Sequence, residues 1–303
     1  MKIILEQLLN GLTIGSFYAL IALGYSMVYG VMKLINFAHG DLFALGSYLG
    51  YTLLVFGSTY VTATLGIWGG MIAAILIAAI GIGIAGTLIE RIAYRPIYSV
   101  GRLPAVVSAL GASIIIQNGI MVLWGPRPQA YPSQVVPSVV LNIGGIKITL
   151  LQIIILLISF MLMGLLYYIV QKTTFGAAIR ACALDRSTAA LMGINIETVI
   201  FFIFALGPAL GGMAGVMVGM YYRKISFIMG WNYGLKAFTA TILGGIGNIP
   251  GAMLGGLLLG VLEMLGSTYL STAYKDVFVF LILILVLIFR PTGLLGEKVA
   301  EKV

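Results

Sequence analysis

Long intervals without a charged side chain recur along the whole sequence. The longest are 7–32, 42–89, 103–126, 148–171, 198–222, 237–262 and 277–289. A helix needs about 20 apolar residues to cross a hydrocarbon core about 30 Å thick, because each residue advances it by about 1.5 Å. The intervals therefore predict an all-α, polytopic membrane protein with about eight to ten transmembrane helices. Because no soluble region of useful size separates them, residues 1–303 are expected to form a single transmembrane domain.

The composition excludes several classes of protein. Charged residues make up 9% of the 303 residues, whereas a soluble domain carries about 25%. A soluble enzyme, a disordered chain and a nucleic-acid binder are excluded, although the formal net charge is +8. With one cysteine, Cys182, and one histidine, His39, the chain has no disulfide and no cluster of such metal ligands.

Motifs that would carry a reaction are also missing from the sequence. It contains no Gly-x-x-x-x-Gly-Lys-Ser/Thr loop, which would cradle nucleotide phosphates, and no serine–histidine–acid set. We therefore predict that the chain is not an enzyme and binds no cofactor. If ATP drives its function, the ATP and its magnesium ion must bind to other subunits.

The basic residues predict which face lies in the cytoplasm. Three stretches carry nine of the seventeen basic residues: Arg91, Arg95 and Arg102; Lys172, Arg180 and Arg186; Arg290, Lys298 and Lys302. These stretches alternate consistently along the chain if all of them face the cytoplasm. The Pro-rich loop 125–147 then lies outside, together with Arg223 and Lys224. The side of the N-terminus stays open.

Two polar or glycine-rich segments interrupt the apolar pattern, at 33–41 and at 244–251. Unwound backbone within a membrane is tolerated only where it is buried in protein or lines a watery cavity. A pair of interrupted segments, one in each half of a chain, points to a translocation path. The candidate path residues in these segments are Asn36, His39, Asp41, Gly244, Gly245 and Asn248. The alternatives are that each segment is a surface turn, and that Asp41 only caps a helix.

Three further polar residues lie inside apolar stretches, namely Gln117, Asn118 and Glu263. A carboxylate within a membrane is by default a functional candidate, so Glu263 joins the candidate path residues. Gln117 and Asn118 join them as residues that could face the bundle interior. The alternatives are an interfacial position for Glu263 and interhelical hydrogen bonds for the two amides.

Glycines recur at four-residue spacing in the apolar stretch 198–222. Gly207, Gly211, Gly215 and Gly219 form three consecutive steps on one helix face. Small residues let helix backbones approach closely, so this face is expected to pack against another helix. The length of the run suggests a mobile or subunit-facing contact, whereas dense internal packing is the simpler alternative.

The segment 172–197 is predicted to lie in the cytoplasm. Its residues 176–191 combine good helix propensity with mixed polarity, which predicts a short helix along the membrane face. Arg180, Asp185 and Arg186 would face water or a partner protein. A plain solvated connector is the alternative, although so short a helix without a partner would be marginal in water.

Several blocks of sequence resemble the permease subunits of branched-chain amino acid ABC importers. The blocks occur in family order and are NGLTIGSFYAL (10–20), INFAHGDL (35–42), ERIAYRP (90–96), the segment 176–195, GLKAFTATILGGIGNIPG (234–251) and RPTGLLG (290–296). The match is closest to the first of the two related permeases in such an importer. Related permeases for urea and other short amides share much of this plan, so they remain an alternative.

The resemblance implies a transport complex in the bacterial inner membrane. That complex would contain this chain, a second homologous permease, two ATP-binding cassette subunits and a periplasmic amino acid binding protein. The segment 172–197 would be the coupling segment that docks on an ATPase subunit, through Gly176, Arg180, Asp185, Arg186 and Gly193. A stand-alone secondary transporter, with Glu263 or His39 coupling to protons, is the rival class.

Overall fold

The computed structural model describes residues 2–57, 63–98, 100–132, 134–136, 139–143 and 145–296. The long helices are α1 (Lys2–Met32), α2 (His39–Phe56), α3 (Ala63–Ile89), α4 (Arg102–Trp124), α5 (Leu150–Lys172), α8 (Ile196–Tyr222), α9 (Met229–Gly244), α10 (Ile249–Tyr269) and α11 (Lys275–Phe289). The short helices are α6 (Thr174–Leu184) and α7 (Arg186–Leu191). The strands are β1 (Gln129–Ala130), β2 (Val140–Ile143), β3 (Ile146–Thr149) and β4 (Lys224–Ile225). Lys298 and Lys302 lie outside the described residues.

The prediction of an all-α polytopic membrane protein is confirmed. Within the described residues, seven helices are long and apolar enough to cross a membrane: α1, α3 with the helical turns that follow it, α4, α5, α8, α10, and α11 with the turn before it. Helices α2 and α9, with 18 and 16 residues, are the two further long helices. The expected eight to ten are reached only if α2 and α9 are counted with these seven.

Contacts at the two ends of α1 fix the direction of the chain. Near its beginning, the carboxylate of Glu6 accepts a hydrogen bond from the backbone N–H of Lys147 in the β2–β3 hairpin, at 3.1 Å. Near its end, the carbonyl of Val31 accepts a hydrogen bond from Nε of Arg186 in α7, at 2.8 Å. If the basic α6–α7 region faces the cytoplasm, as the basic residues predict, the hairpin and the N-terminus lie outside, and the two faces are named on this basis.

Strand pairing agrees with this orientation. Strand β1 pairs antiparallel with β4, with Gln129 opposite Ile225. The loop 125–147 and the segment 223–225 therefore lie on one face of the protein, as the basic residues predict.

Cysteine labelling tests this topology. We expect Lys2→Cys and Val140→Cys to react with a membrane-impermeant maleimide added outside intact cells, because both residues lie at the hairpin face. The matched Leu191→Cys, on the exposed surface of α7, should react only after the cells are opened. Reaction of Leu191→Cys in intact cells, with protection of Lys2→Cys, would reverse the orientation. Cys182 is buried and is replaced by serine in all three variants.

The first predicted break is present and turns the chain back into the protein. Helix α2 begins at His39, whose Nε2 lies 3.1 Å from the carbonyl oxygen of Ile21. Ile21 precedes the end of α1 at Met32 by 11 residues, or about 16 Å of helix. The non-helical segment 33–38 therefore returns from the cytoplasmic end of α1 to its middle, so α2 is a half-helix that starts inside the membrane.

A second half-helix begins at Met229, which is not where the sequence predicts a break. The sulfur of Met229 lies 3.6 Å from Oγ of Ser47 in α2, whereas β4, just before it, lies on the outer face. The segment 223–228 thus descends from outside into the bundle, where α9 starts. Arg223, at φ +53°, ends α8 in the left-handed conformation.

The predicted break 244–251 is a turn near the cytoplasmic face, with Gly247 exposed. Only 245–248 are non-helical, and the backbone N–H of Gly247 donates to Oγ of Ser26, at 3.0 Å. The N–H groups of Leu294 and Leu295 donate to the carbonyls of Leu243 and Gly244, at 2.8 and 2.9 Å. The glycines here allow the C-terminal segment to pack closely against this turn. A high density of glycine therefore does not by itself distinguish a turn from a break in the middle of the membrane.

The four spaced glycines of α8 lie on an internal face of the chain. A Cβ on Gly207 would contact Gly24 of α1, and one on Gly211 would contact His39 and Phe43 of α2. A Cβ on Gly215 would collide with Phe43 and Ser47, and one on Gly219 would collide with Tyr131. The suggestion of a subunit-facing contact is therefore wrong for this face, because α1 and α2 already cover it.

Candidate functional site

Helices α2 and α9 cross near their N-termini, at Gly40. A Cβ on Gly40 would lie 3.0 Å from the Cα of Gly234 and would collide with the carbonyl of Gly230. Since the obstructing atoms are backbone, they could give way only if the two helices separated. The two half-helices enter from opposite faces, and their N-termini meet inside the bundle. This arrangement is typical of transporter binding sites, where such helix ends face a substrate or an ion.

Asp41 lies at this crossing and is 2% exposed. One carboxylate oxygen, Oδ2, accepts a short hydrogen bond from the hydroxyl of Ser113 in α4. The other, Oδ1, has no hydrogen-bond partner in the described part of the chain and lies against Gly230 in the first turn of α9. The positive end of the α9 dipole therefore favours the negative charge of Asp41.

His39 faces α1 and α8 from the opposite side of the first turn of α2. Its ring is fully buried, with Nε2 at the Ile21 carbonyl and the ring centroid 4.7 Å from that of Tyr25. Because a carbonyl only accepts, we assign the proton to Nε2, which leaves Nδ1 as an acceptor. Nδ1 has no partner among the described residues. A Cβ on Gly24 would collide with this ring, so that glycine gives the histidine its space.

Asn36 anchors the returning segment 33–38. Its side-chain oxygen accepts hydrogen bonds from the N–H of Ala38, at 3.1 Å, and from the hydroxyl of Tyr94, at 3.0 Å. Tyr94 ends the π-helical turn Glu90–Tyr94 that follows α3. The asparagine therefore ties the entrance of α2 to the cytoplasmic end of α3.

Glu263 lies in a cleft toward the outer face and is 6% exposed. Its Oε1 accepts from Nζ of Lys236 at 2.6 Å, and its Oε2 accepts from the hydroxyl of Tyr18 at 2.8 Å. Lys236 also pairs with Asp276 of α11, at 2.7 Å. The cleft has a volume of about 370 Å³ and lies beside the descending segment 223–228. We call it the outer cleft, and its charged floor is Lys236, Glu263 and Asp276.

On the cytoplasmic side, α6 and α7 form a surface that also contains polar anchors. Gly176 is buried, and a Cβ there would collide with backbone carbonyls of α5. Arg180 donates to the carbonyl of Val170, and Arg186 donates to that of Val31, so both arginines hold the segment against the bundle. Gly193, at φ +85°, forms the turn into α8.

Asp185 caps α7 rather than pointing to a partner. Its carboxylate accepts from the N–H and hydroxyl groups of Ser187 and Thr188. Hydrogen bonds from Ser187 and Thr188 lower the pKa of the Asp185 carboxyl to about 2, so it is ionised at physiological pH. Three large apolar side chains of the segment are also exposed, since Leu184, Leu191 and Met192 are 84%, 87% and 79% exposed.

Comparison with known proteins identifies the family. Residues 7–287 match the family described as the permease component of the branched-chain amino acid transport system. The chain belongs to this permease family. It is 46% identical to the high-affinity branched-chain amino acid permease LivH of Salmonella typhimurium and 45% identical to LivH of Escherichia coli K12, over 99% of this chain and 97% of each relative. It is 43% identical to BraD of Pseudomonas aeruginosa, over 99% and 98%. No solved structure matches.

The permease is therefore a transport subunit and not an enzyme. Its seven apolar helices and its family establish a multi-pass protein of the bacterial inner membrane.

Some predicted path residues of the permease lie away from both the crossing and the outer cleft. Asn118 is exposed, and its amide donates to the carbonyl of Ile114 one turn earlier in α4, at 2.8 Å; Gln117 beside it is half-buried. Gly244, Gly245 and Asn248 belong to the cytoplasmic turn. There Asn248 caps α10 through Gly251 and also donates to the carbonyl of Leu295.

Other residues of these sites were missed by sequence reasoning. Gly230 and Gly234 lie in α9, and Ser113 and Lys236 supply partners for the two buried carboxylates. Lys236 could have been identified from the sequence. It is a charged residue between two apolar stretches, and it lies in one of the blocks that resemble the family. Ser113 carried none, since a lone serine in an apolar helix is common and its partner is 72 residues away.

Proposed function

We propose that this permease translocates branched-chain, aliphatic amino acids as the membrane subunit of an ATP-driven importer. The observation that carries the proposal is the full-length identity of 43–46% to permeases named for high-affinity branched-chain amino acid transport. The two half-helices that cross at Gly40 support the proposal, because such helix pairs are typical of transporters that open a fixed binding site alternately to each side of the membrane.

Deletion of the gene in its own host tests this function. We expect loss of high-affinity uptake of leucine, isoleucine and valine, restored by a plasmid copy. Uptake of urea and short amides should be unchanged. The reverse pattern, with amide uptake lost and leucine uptake normal, would favour the alternative substrate class within the family.

We further propose that the permease works with a second homologous permease, two ATP-binding cassette subunits and a periplasmic amino acid binding protein. The ATP and magnesium would be bound by the cassette subunits. Supporting this, α6 and α7 leave three large apolar side chains exposed at the cytoplasmic face, outside the lipid-spanning helices. A groove of about 190 Å³ between Ala181 and Ile194 lies beside them and could take an apolar side chain of a partner.

Charged substitutions on this surface test whether it is the dock, the surface that binds an ATPase subunit. We expect Leu191→Asp with Met192→Asp to reduce co-purification of the ATPase subunits at least about tenfold, because burying an unpaired carboxylate in an interface is costly. The permease itself should remain folded, since both side chains are exposed. Val140→Asp, on the outer hairpin and 56% exposed, is the matched control and should keep the ATPase subunits. Normal co-purification of the Leu191/Met192 variant would contradict the dock.

The rival class, a secondary transporter that uses Glu263 or His39, fits the contacts less well. Glu263 accepts hydrogen bonds from both Lys236 and Tyr18. His39 is held against a backbone carbonyl. Glu263 is therefore engaged in an ion pair and a tyrosine hydrogen bond, and His39 is fully buried, so neither side chain is free to carry a proton.

A further inference from the structure

The outer cleft combines charges of both signs with an aliphatic wall. Its residues Lys236, Glu263 and Asp276 form the charged floor, and Val218, Ile225, Ile228 and Met229 contribute apolar surface. A volume of about 370 Å³ lies within the range of small-molecule sites. The cleft opens beside Met229 at the start of α9, where the positive end of the helix dipole favours an anion.

The hydrogen-bonding capacity of the floor is incompletely used. An ammonium group has three donors, and that of Lys236 makes two ion pairs, with Glu263 and Asp276. One donor remains for a carboxylate in the cleft. Each oxygen of Glu263 already accepts one hydrogen bond, from Lys236 or Tyr18, whereas the side chain of Asp276 is 57% exposed and open to a second cation.

From these contacts we infer that the outer cleft is a transit site for an α-amino acid zwitterion. The α-carboxylate binds the remaining donor of Lys236 and the N-terminal turn of α9. The α-ammonium binds Asp276, and an aliphatic side chain lies along Val218, Ile228 and Met229. Tyr18 and Glu263 act as positioning residues, because they hold the Lys236 ammonium at the floor.

This inference deepens the proposed function and rests on it for the identity of the ligand. A neutral zwitterion suits a floor that presents both signs in one cleft. Lys224 and Lys275 also line the cleft, so its lining carries both signs with basic side chains in excess.

Protection of a cysteine from modification tests the site directly. The variant carries Asn232→Cys, an exposed position lining the cleft, together with Cys182→Ser. Spheroplasts, from which the soluble binding protein has been washed, are treated from outside with an impermeant methanethiosulfonate. We expect saturating leucine to slow the modification about tenfold, by occupying the cleft. The analogues 4-methylpentanoate, which lacks the amine, and isopentylamine, which lacks the carboxylate, should give no protection.

Asp276→Asn supplies the matched variant, because it removes one charge while Lys236 keeps its bond to Glu263. We expect it to abolish leucine protection and to lower maximal leucine uptake about tenfold, in line with loss of one charge-assisted hydrogen bond. Lys147→Met removes a charge on the outer hairpin and should leave both measurements unchanged. Absence of leucine protection in the Asn232→Cys protein, or normal uptake by Asp276→Asn, would overturn the transit site.

Failure of the proposed function would look different. In that case the unmodified permease would not support leucine uptake in its host, whereas failure of the transit site leaves that uptake intact and changes only the response of the cleft variants.

Discussion

Replacing Lys236 with methionine should destabilise the permease by about 3–5 kcal/mol, because Glu263 would remain buried with its charge unpaired. Both side chains are less than a tenth exposed, so hydration would offset little of the loss of the lysine. We expect the purified variant to show a lower thermal unfolding temperature in detergent and poor recovery as a monodisperse protein.

The double variant Lys236→Met with Glu263→Gln separates this cost from general damage to the fold. A neutral glutamine can still accept the hydrogen bond from Tyr18, and no buried charge remains. We therefore expect it to recover most of the stability but not the transport activity. Equal stability of the Lys236→Met variant and the unmodified protein would show that the ion pair is not buried as described.

Gly40→Ala should abolish transport and cost about 1–3 kcal/mol of stability, the usual penalty for overpacking. The added methyl would meet the backbone of Gly230 and Gly234, which no side-chain rotation can clear. Helices α2 and α9 would have to separate, and Asp41 would lose its place against the first turn of α9. Leucine uptake and the unfolding temperature measure the two effects.

Gly164→Ala is the matched control for this substitution. Gly164 lies within α5, and nothing approaches within 4 Å of the position where its Cβ would lie. Alanine favours a helix over glycine by about 1 kcal/mol, so this variant should be as stable as the unmodified protein or slightly more so. If the two variants behave alike, the close crossing of α2 and α9 does not matter for the permease.

The membrane architecture was predictable because it follows from spacing. Twenty apolar residues between charges specify a spanning helix in almost any context, and the basic stretches specify its direction. The first break was predictable for the same reason, since Lys33, Asn36, His39 and Asp41 cannot lie in lipid.

The position of the second half-helix was not predictable from the sequence. Glycine density pointed to 244–251, but those glycines let α9, α10 and the C-terminal segment approach one another at the cytoplasmic face. The segment 223–228 has a basic pair and a serine among apolar residues, a composition that is typical of an external loop. Only its packing against α2, through Met229 and Gly230, reveals that it enters the bundle.

The partners of the buried charges also depend on tertiary contacts. Glu263 was identified as a candidate from its position in an apolar stretch, but its bonds to Lys236 and Tyr18 join residues 27 and 245 positions apart. Likewise, Arg180 and Asp185 are exposed, as expected, but their hydrogen bonds to the Val170 carbonyl and to the first turn of α7 could not be predicted from the sequence. The exposed apolar residues beside them form the surface that we propose as the dock. These apolar residues were missed by sequence reasoning, which considered only the charged residues and glycines of this segment.

Leucine accumulation in proteoliposomes tests the central claim, that this permease is a path driven by separate ATPase subunits. The vesicles contain the complete complex, with the binding protein and leucine on one side and ATP on the other. We predict accumulation against the leucine gradient that requires hydrolysable ATP and is lost with Gly40→Ala but not with Gly164→Ala. Accumulation by this chain alone, driven by a pH gradient without ATP, would contradict the claim.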